Sequence, residues 1–146
     1  FEYGSGGSTV FFASRTAAVT STESDQGWLA RVQAELSRRA LTNVVLQYRP
    51  FDFFKAEHFG DSKYLHSIPA QQFDVIVIDT PEQDVVVRPA CFAYAESRIK
   101  PGGIIIVDDA WRYPILRTCN RAMSWKQFRS TGPCRPGVTS TDIYFY

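Results

Sequence analysis

The sequence has almost no excess charge of either sign: 16 basic against 15 acidic side chains leave a formal net charge of +1 over 146 residues. A surface so near neutrality supplies no field to gather nucleic acid or an anionic membrane, and neither is expected as a partner. No apolar run approaches the ~20 residues that a transmembrane helix requires. The three cysteines, Cys91, Cys119 and Cys134, are odd in number and widely spaced, so they form neither a metal-ligand spacing nor a disulfide framework. Reduced thiols, and with them a cytoplasmic protein, are the expectation. Cys134 has no activating motif beside it, and the two histidines, His58 and His66, fall in an aperiodic stretch where surface roles outweigh a catalytic base. Internal repeats, low-complexity tracts and linkers are also lacking, so 1–146 reads as a single domain. There is no starting Met, and Phe1 falls inside what reads as a central strand. The expectation is therefore a trimmed domain whose N-terminal elements are missing.

What is present begins at once. Phe1-Glu2-Tyr3 reads as the end of a buried strand, Gly4-Ser5-Gly6-Gly7 as a turn, and Ser8 or Thr9 as a helix start. Glycines allow positive φ and let a ligand approach the main chain without meeting a Cβ. N–H groups at the start of the following helix then face the same crevice. Val10 to Ala18 reads as that helix and Val19 to Glu23 as a β-branched second strand. Glu23 lies 19 residues after Gly4 (23 − 4), the interval at which an acidic residue meets a ribose in nucleotide-binding α/β folds. The plainer role for Glu23 is to cap the next helix.

Asp25 to Ala40 carries Trp28, Leu29, Val32 and Leu36 at helical spacing, with Trp28 expected as a core anchor. Val44 to Tyr48 reads as a third strand. Arg49 to Gln72 is aperiodic but rich in aromatics, which predicts a short helix and a flap. Phe73 to Asp79 and Ile104 to Asp108 are near-continuous apolar strands of the kind buried in parallel sheets. Between them, Val86 to Ile99 reads as a helix and Lys100-Pro101-Gly102-Gly103 as a turn. Tyr113 to Met123 is predicted helical. Trp125 to Phe128 and Thr139 to Tyr146 close the chain as strands linked by a Pro133–Gly137 turn, the last one antiparallel. The fold class is thus α/β, a doubly wound, mostly parallel sheet with helices on both faces.

In such sheets ligands bind outside the carboxyl ends of the strands. Glu23, Asp79, Asp108 and Asp109 are expected on that rim, although Asp79 can equally cap the turn before Pro81. Trp111 and Tyr113, beside Arg112, can either wall an acceptor pocket or pack the following segment.

Glu2-x-Gly4-x-Gly6-Gly7, Glu23, Phe73 to Asp79 and Lys100 to Asp109 occur in an order and spacing that resembles the class I S-adenosylmethionine-dependent methyltransferases, over nearly the whole chain. The resemblance implies S-adenosylmethionine as cofactor, held by Glu2, Gly4, Ser5, Gly6, Ser8, Thr9, Glu23 and Asp79. It implies methyl transfer to an oxygen or nitrogen of a small-molecule acceptor, with Asp79, Asp108 and Asp109 as catalytic candidates. Catechol-type members hold Mg²⁺ through an Asp and an Asp-Asn pair at similar places. Asp109 stands where that subfamily has Asn, so a metal-free site is favoured over one with Mg²⁺. Two other readings remain open: a nicotinamide-binding oxidoreductase, against which stands the lack of a G-x-G-x-x-G register, and a non-catalytic module on the same fold.

Overall fold

Short β-branched and apolar runs punctuated by Gly and Pro set the element order. The computed structural model describes residues 1–81, 85–131 and 137–146. The chain divides into two compact units, Phe1–Pro69 and Ala70–Tyr146.

In the first unit, β1 (Glu2–Tyr3), β2 (Val19–Glu23) and β3 (Val44–Tyr48) alternate with α1 (Gly7–Ala13) and α2 (Gln26–Arg38). β2 pairs in parallel with both neighbours, Tyr3 opposite Thr22 and Glu23 opposite Tyr48. Ala13, Val19, Val32 and Leu36 form the core between helices and strands, with Val10, Leu41 and Val44 packed on it. Helix α1 stops five residues before the expected Ala18, because its last carbonyls are taken by side chains. Ser14 and Thr16 donate to the carbonyls of Phe11 and Phe12, and Asn43 donates to those of Ala13 and Thr16. α2 begins at the capping carboxylate of Asp25, which accepts the Trp28 N–H at 2.6 Å.

The aromatic stretch after β3 forms two short helices, Ala56–Asp61 and Leu65–Ser67, both 3-10 rather than α. Its rings pack together: Phe51, Phe53, Phe59 and Tyr64 meet with centroids 5.1–6.1 Å apart. The Tyr3 hydroxyl donates to the Leu65 carbonyl at 2.6 Å, which fastens this cluster to β1.

In the second unit, β4 (Phe73–Ile78), β5 (Ile99–Val107), β7 (Val138–Phe145) and β6 (Ser124–Thr131) lie side by side in that order. β4 and β5 are parallel, and β7 runs antiparallel to both β5 and β6. The C-terminal antiparallel strand is therefore where the sequence implies it. The helix α3 (Val87–Ala95) ends before the expected Ile99, because Ile99 already pairs with Phe73 in β5. Lys100 to Gly103, expected as a turn before β5, lies within it. Ile99 is opposite Phe73 and Ile104 opposite Val75, so the intervening residues bulge, with Gly102 at φ +79°.

The predicted helix over 113–123 is absent. Only the 3-10 turns Ala110–Arg112 and Pro114–Arg117 form. Thr118 and Asn120 donate to the carbonyls of Ile115 and Leu116, which a continuing helix would need. Cys134 and all of the predicted Pro133–Gly137 turn except Gly137 lie outside the described residues. No helix among the described residues is long and apolar enough to cross a membrane.

Candidate functional site

The first unit carries a glycine turn at the end of β1. Gly4 sits at φ +95°, a region that any side chain strains. Gly6, by contrast, is extended, and a Cβ built there would meet the Trp28 ring only at an ordinary 3.8 Å. Gly6 donates its N–H to the Thr9 hydroxyl at 2.9 Å. Thr9 is fully buried, so it shapes the turn from behind, whereas Ser5 and Ser8 are only partly covered.

Glu23 is 4% exposed and closes on this turn. Its Oε2 accepts the Ser5 N–H at 3.1 Å and the Ser5 hydroxyl at 2.7 Å. Its Oε1 accepts the N–H groups of Ser24 and Asp25 at 2.7 and 2.9 Å. One carboxylate thus ties the tip of β2 to the glycine turn and also caps the approach to α2, the plainer of the two roles read from the sequence.

Trp28 corrects the sequence reading. It is 44% exposed rather than a core anchor, and its indole N–H donates to the Ser5 carbonyl at 2.7 Å. Capping by Asp25 fixes Trp28 in the first turn of α2, close enough to reach back to the loop. The core work of that face falls to Val32 and Leu36. The Asp-x-x-Trp spacing was the available signal.

Glu2 is 1% exposed, and neither carboxylate oxygen finds a donor at hydrogen-bond distance among the described residues. Burial pushes its pKa up, an effect partly offset by the hydroxyls of Thr9, Ser8 and Ser21. An unsatisfied buried carboxyl is costly, and one beside a glycine turn marks a place where a cationic or N–H group is wanted.

The second unit carries the other carboxylates at the C-terminal ends of β4 and β5. Asp79 is half-exposed and pairs with Arg88 at 3.0 Å. Arg88 itself is 5% exposed. It also donates to the carbonyl of Thr80 through Nε and Nη2, at 3.1 and 2.8 Å, and to the carbonyl of Asp108 through Nη1. A single guanidinium therefore pins the ends of both strands while it neutralises Asp79. Sequence reasoning missed it; an Arg set between Val87 and Pro89 at the start of an apolar helix was the clue.

Asp108 accepts the Thr141 hydroxyl at 2.9 Å. Asp109 is 6% exposed, holds a left-handed backbone at φ +50°, and accepts the Thr139 hydroxyl at 2.7 Å. The rim is thus engaged by Arg88 and by alternate residues of β7. No three His, Cys, Asp or Glu side chains gather at metal-ligand spacing among the described residues. With Arg88 on Asp79, this donor set does not fit Mg²⁺. His58 and His66 are exposed, as expected.

Trp111 is 53% exposed, whereas Tyr113 is buried with the guanidinium groups of Arg88 and Arg112 each 5.9 Å from its ring centre. The two aromatics read together from the sequence thus separate: Tyr113 packs, and Trp111 remains available to a ligand.

The sequence matches no protein-family profile and no curated protein. Solved structures do match. A candidate methyltransferase of Streptococcus mutans in complex with SAH aligns with 99% of this chain and 86% of its own at 12% identity, with a TM-score of 0.66. A candidate O-methyltransferase of Klebsiella pneumoniae aligns with 94% of this chain and 67% of its own at 16% identity, with a TM-score of 0.71. An rRNA methylase of Streptococcus thermophilus aligns with 94% and 77% at 11% identity, with a TM-score of 0.65. The chain has the fold of these proteins: the α/β, mostly parallel, Rossmann-like fold of S-adenosylmethionine-dependent methyltransferases.

Proposed function

We propose that this chain is a class I S-adenosylmethionine-dependent methyltransferase acting on an oxygen or nitrogen of a small-molecule acceptor. The observation that carries the reading is the glycine turn. Gly4 at positive φ, Ser5 locked to Glu23, and the buried Glu2, with no donor at hydrogen-bond distance among the described residues, leave a bare main chain between two carboxylates. These residues fit the cofactor. Glu2 would accept from its amino group and Glu23 from its ribose hydroxyls. Gly4, Ser5 and Gly6 would lie against its chain, held in place by Thr9, with Ser8 as a further contact. The bound cofactor would supply an electrophilic methyl group on a sulfonium.

The protein's own part is to hold a nucleophile in line and take or orient its proton. Asp79 suits this role because its carboxylate is half-exposed, while Arg88 fixes its position. Asp108 and Asp109 are turned toward Thr141 and Thr139, so they support the acceptor from the rim. The S. mutans relative is solved with SAH, which supports the cofactor. An O-methyltransferase and an rRNA methylase both use this fold. The near-neutral charge of this chain favours the small acceptor over RNA.

Calorimetric titration with S-adenosylmethionine, S-adenosylhomocysteine and NADH tests the proposal. Saturable binding of the two sulfur nucleosides, with none of NADH, is the expected result. NADH binding alone would move the chain to the oxidoreductases. Binding of none of the three would leave a non-catalytic module.

A further inference from the structure

A cavity lies in the second unit, beside the carboxylate rim. It has a volume of about 160 Å³ and is lined by Trp111, Arg117, Gln127, Arg129, Thr139 and Ser140, among others. Its chemistry is lopsided. The lining holds two guanidinium groups and no carboxylate. Asp142, the carboxylate that balances Arg117 at 2.7 Å, is 0% exposed and lies beneath the lining. Arg129 projects from β6 opposite Ser140 and makes no ion pair among the described residues. Ser140 is 3% exposed, and its hydroxyl has no hydrogen-bond partner among the described residues. Buried hydroxyls without partners are uncommon, and one beside an unbalanced Arg marks a place prepared for an acceptor atom. Trp111, half-exposed, offers a flat apolar surface at the same cavity.

We infer that this cavity binds a small planar molecule bearing an oxyanion, a carboxylate or a phosphate monoester. Arg129 and Gln127 receive the oxyanion, with the buried Ser140 opposite Arg129 in register, and Trp111 stacks on the planar part. Arg117 holds the floor through Asp142 and through its position 5.0 Å from the centre of the Trp125 ring. The Thr139 hydroxyl binds Asp109, so the cavity adjoins the rim on which the methyl acceptor is proposed to sit. The oxyanion is then the handle by which the acceptor is oriented. That last step rests on the methyltransferase reading, whereas the oxyanion site does not.

The test therefore uses the isotope-labelled chain without cofactor. It is titrated at low salt with benzoate, phenyl phosphate and neutral benzamide. The readout is the indole N–H of Trp111 and the amides of Thr139 and Ser140. Saturable shifts with benzoate or phenyl phosphate are expected, the tighter of the two identifying the oxyanion. Benzamide should bind about tenfold more weakly or worse, and Arg129→Gln should cost the anion about tenfold. Arg129 is exposed, so this variant should keep a wild-type spectrum elsewhere. Equal binding of benzamide, or an Arg129→Gln variant with undiminished affinity, overturns the inference. A single-stranded RNA oligonucleotide that shifts these resonances more tightly than both anions overturns the small-molecule assignment. Oxyanion binding in a chain that binds neither sulfur nucleoside would keep the site and reject only its role in methyl transfer.

Discussion

Replacing Glu23 by Ala should damage stability and cofactor binding together, and the structure sets the scale of the first effect. Glu23 accepts four hydrogen bonds of 3.1 Å or shorter, three from backbone N–H groups and one from a hydroxyl, and is almost fully buried. Truncation removes a charged acceptor from donors that only partly regain water. Each hydrogen bond to a charged group contributes about 1.5–3 kcal/mol, and these four share one carboxylate and are not additive. A net loss of about 2–4 kcal/mol follows, or roughly 5–15 °C in melting temperature for a chain of this size. Glu23→Gln should recover little of it. Each oxygen faces N–H donors, so the new amide NH₂ must point at one set of them whichever way it turns. Thermal melts by circular dichroism read the stability effect. Calorimetry with S-adenosylhomocysteine, well below the melting point, reads the binding loss, expected at about 1–3 kcal/mol. A Glu23→Ala protein that melts within about 1 °C of the wild type would refute the reasoning, because the four bonds would then contribute nothing.

Three further outcomes are expected. Glu2→Gln should raise the melting temperature near neutral pH: burial lifts the folded-state pKa of Glu2, so its favourable contribution is whole below the unfolded value of 4.5 and is lost as pH rises through the folded pKa. The gap between the two proteins should close below pH 4.5, and melts across pH 3–8 check both the sign and the window. Gly4→Val should cost about 2–3 kcal/mol in denaturant unfolding, from a β-branched residue forced to φ +95°, and should abolish cofactor binding, whereas Gly6→Val, in an extended backbone, should harm binding far more than stability. Arg88→Met should lower stability by about 2–4 kcal/mol, since two strand-end carbonyls and Asp79 lose a shared donor, and urea unfolding measures it.

The strands were the most legible part of the sequence. Val19–Glu23 and Val44–Tyr48 form with the ends that their β-branched and apolar runs imply, because those runs stop where polar and turn residues begin. The helix over 10–18 was read too long, and the one over 113–123 was read where only 3-10 turns form, for a common reason. Ser, Thr and Asn side chains at their ends capture the carbonyls, and hydrophobic periodicity is blind to that competition. The bulge in β5 was read as a turn because its glycines signal a chain reversal as readily as a register shift.

At the candidate site, the Gly4 turn and the placing of Glu23 were legible from spacing, whereas Glu2 was singled out only by the family resemblance. Arg88 and Trp28 were not legible, since each acts through a partner remote in sequence. Arg88 reaches the carbonyl of Asp108, 20 residues on, and Trp28 the carbonyl of Ser5, 23 residues back. The threonines of β7 that engage the rim become visible only once β7 is known to lie beside β5.

The central claim is that the glycine turn and the tip of β2 together receive S-adenosylmethionine. It is tested most directly by adding S-adenosylhomocysteine to the isotope-labelled chain and mapping the amide shifts. Saturable shifts concentrated at Gly4, Ser5 and Gly6 and at Ser24 and Asp25, whose N–H groups Glu23 holds, are the expected result. A saturable response that leaves those amides unmoved, or no response at all from a folded protein, would contradict it.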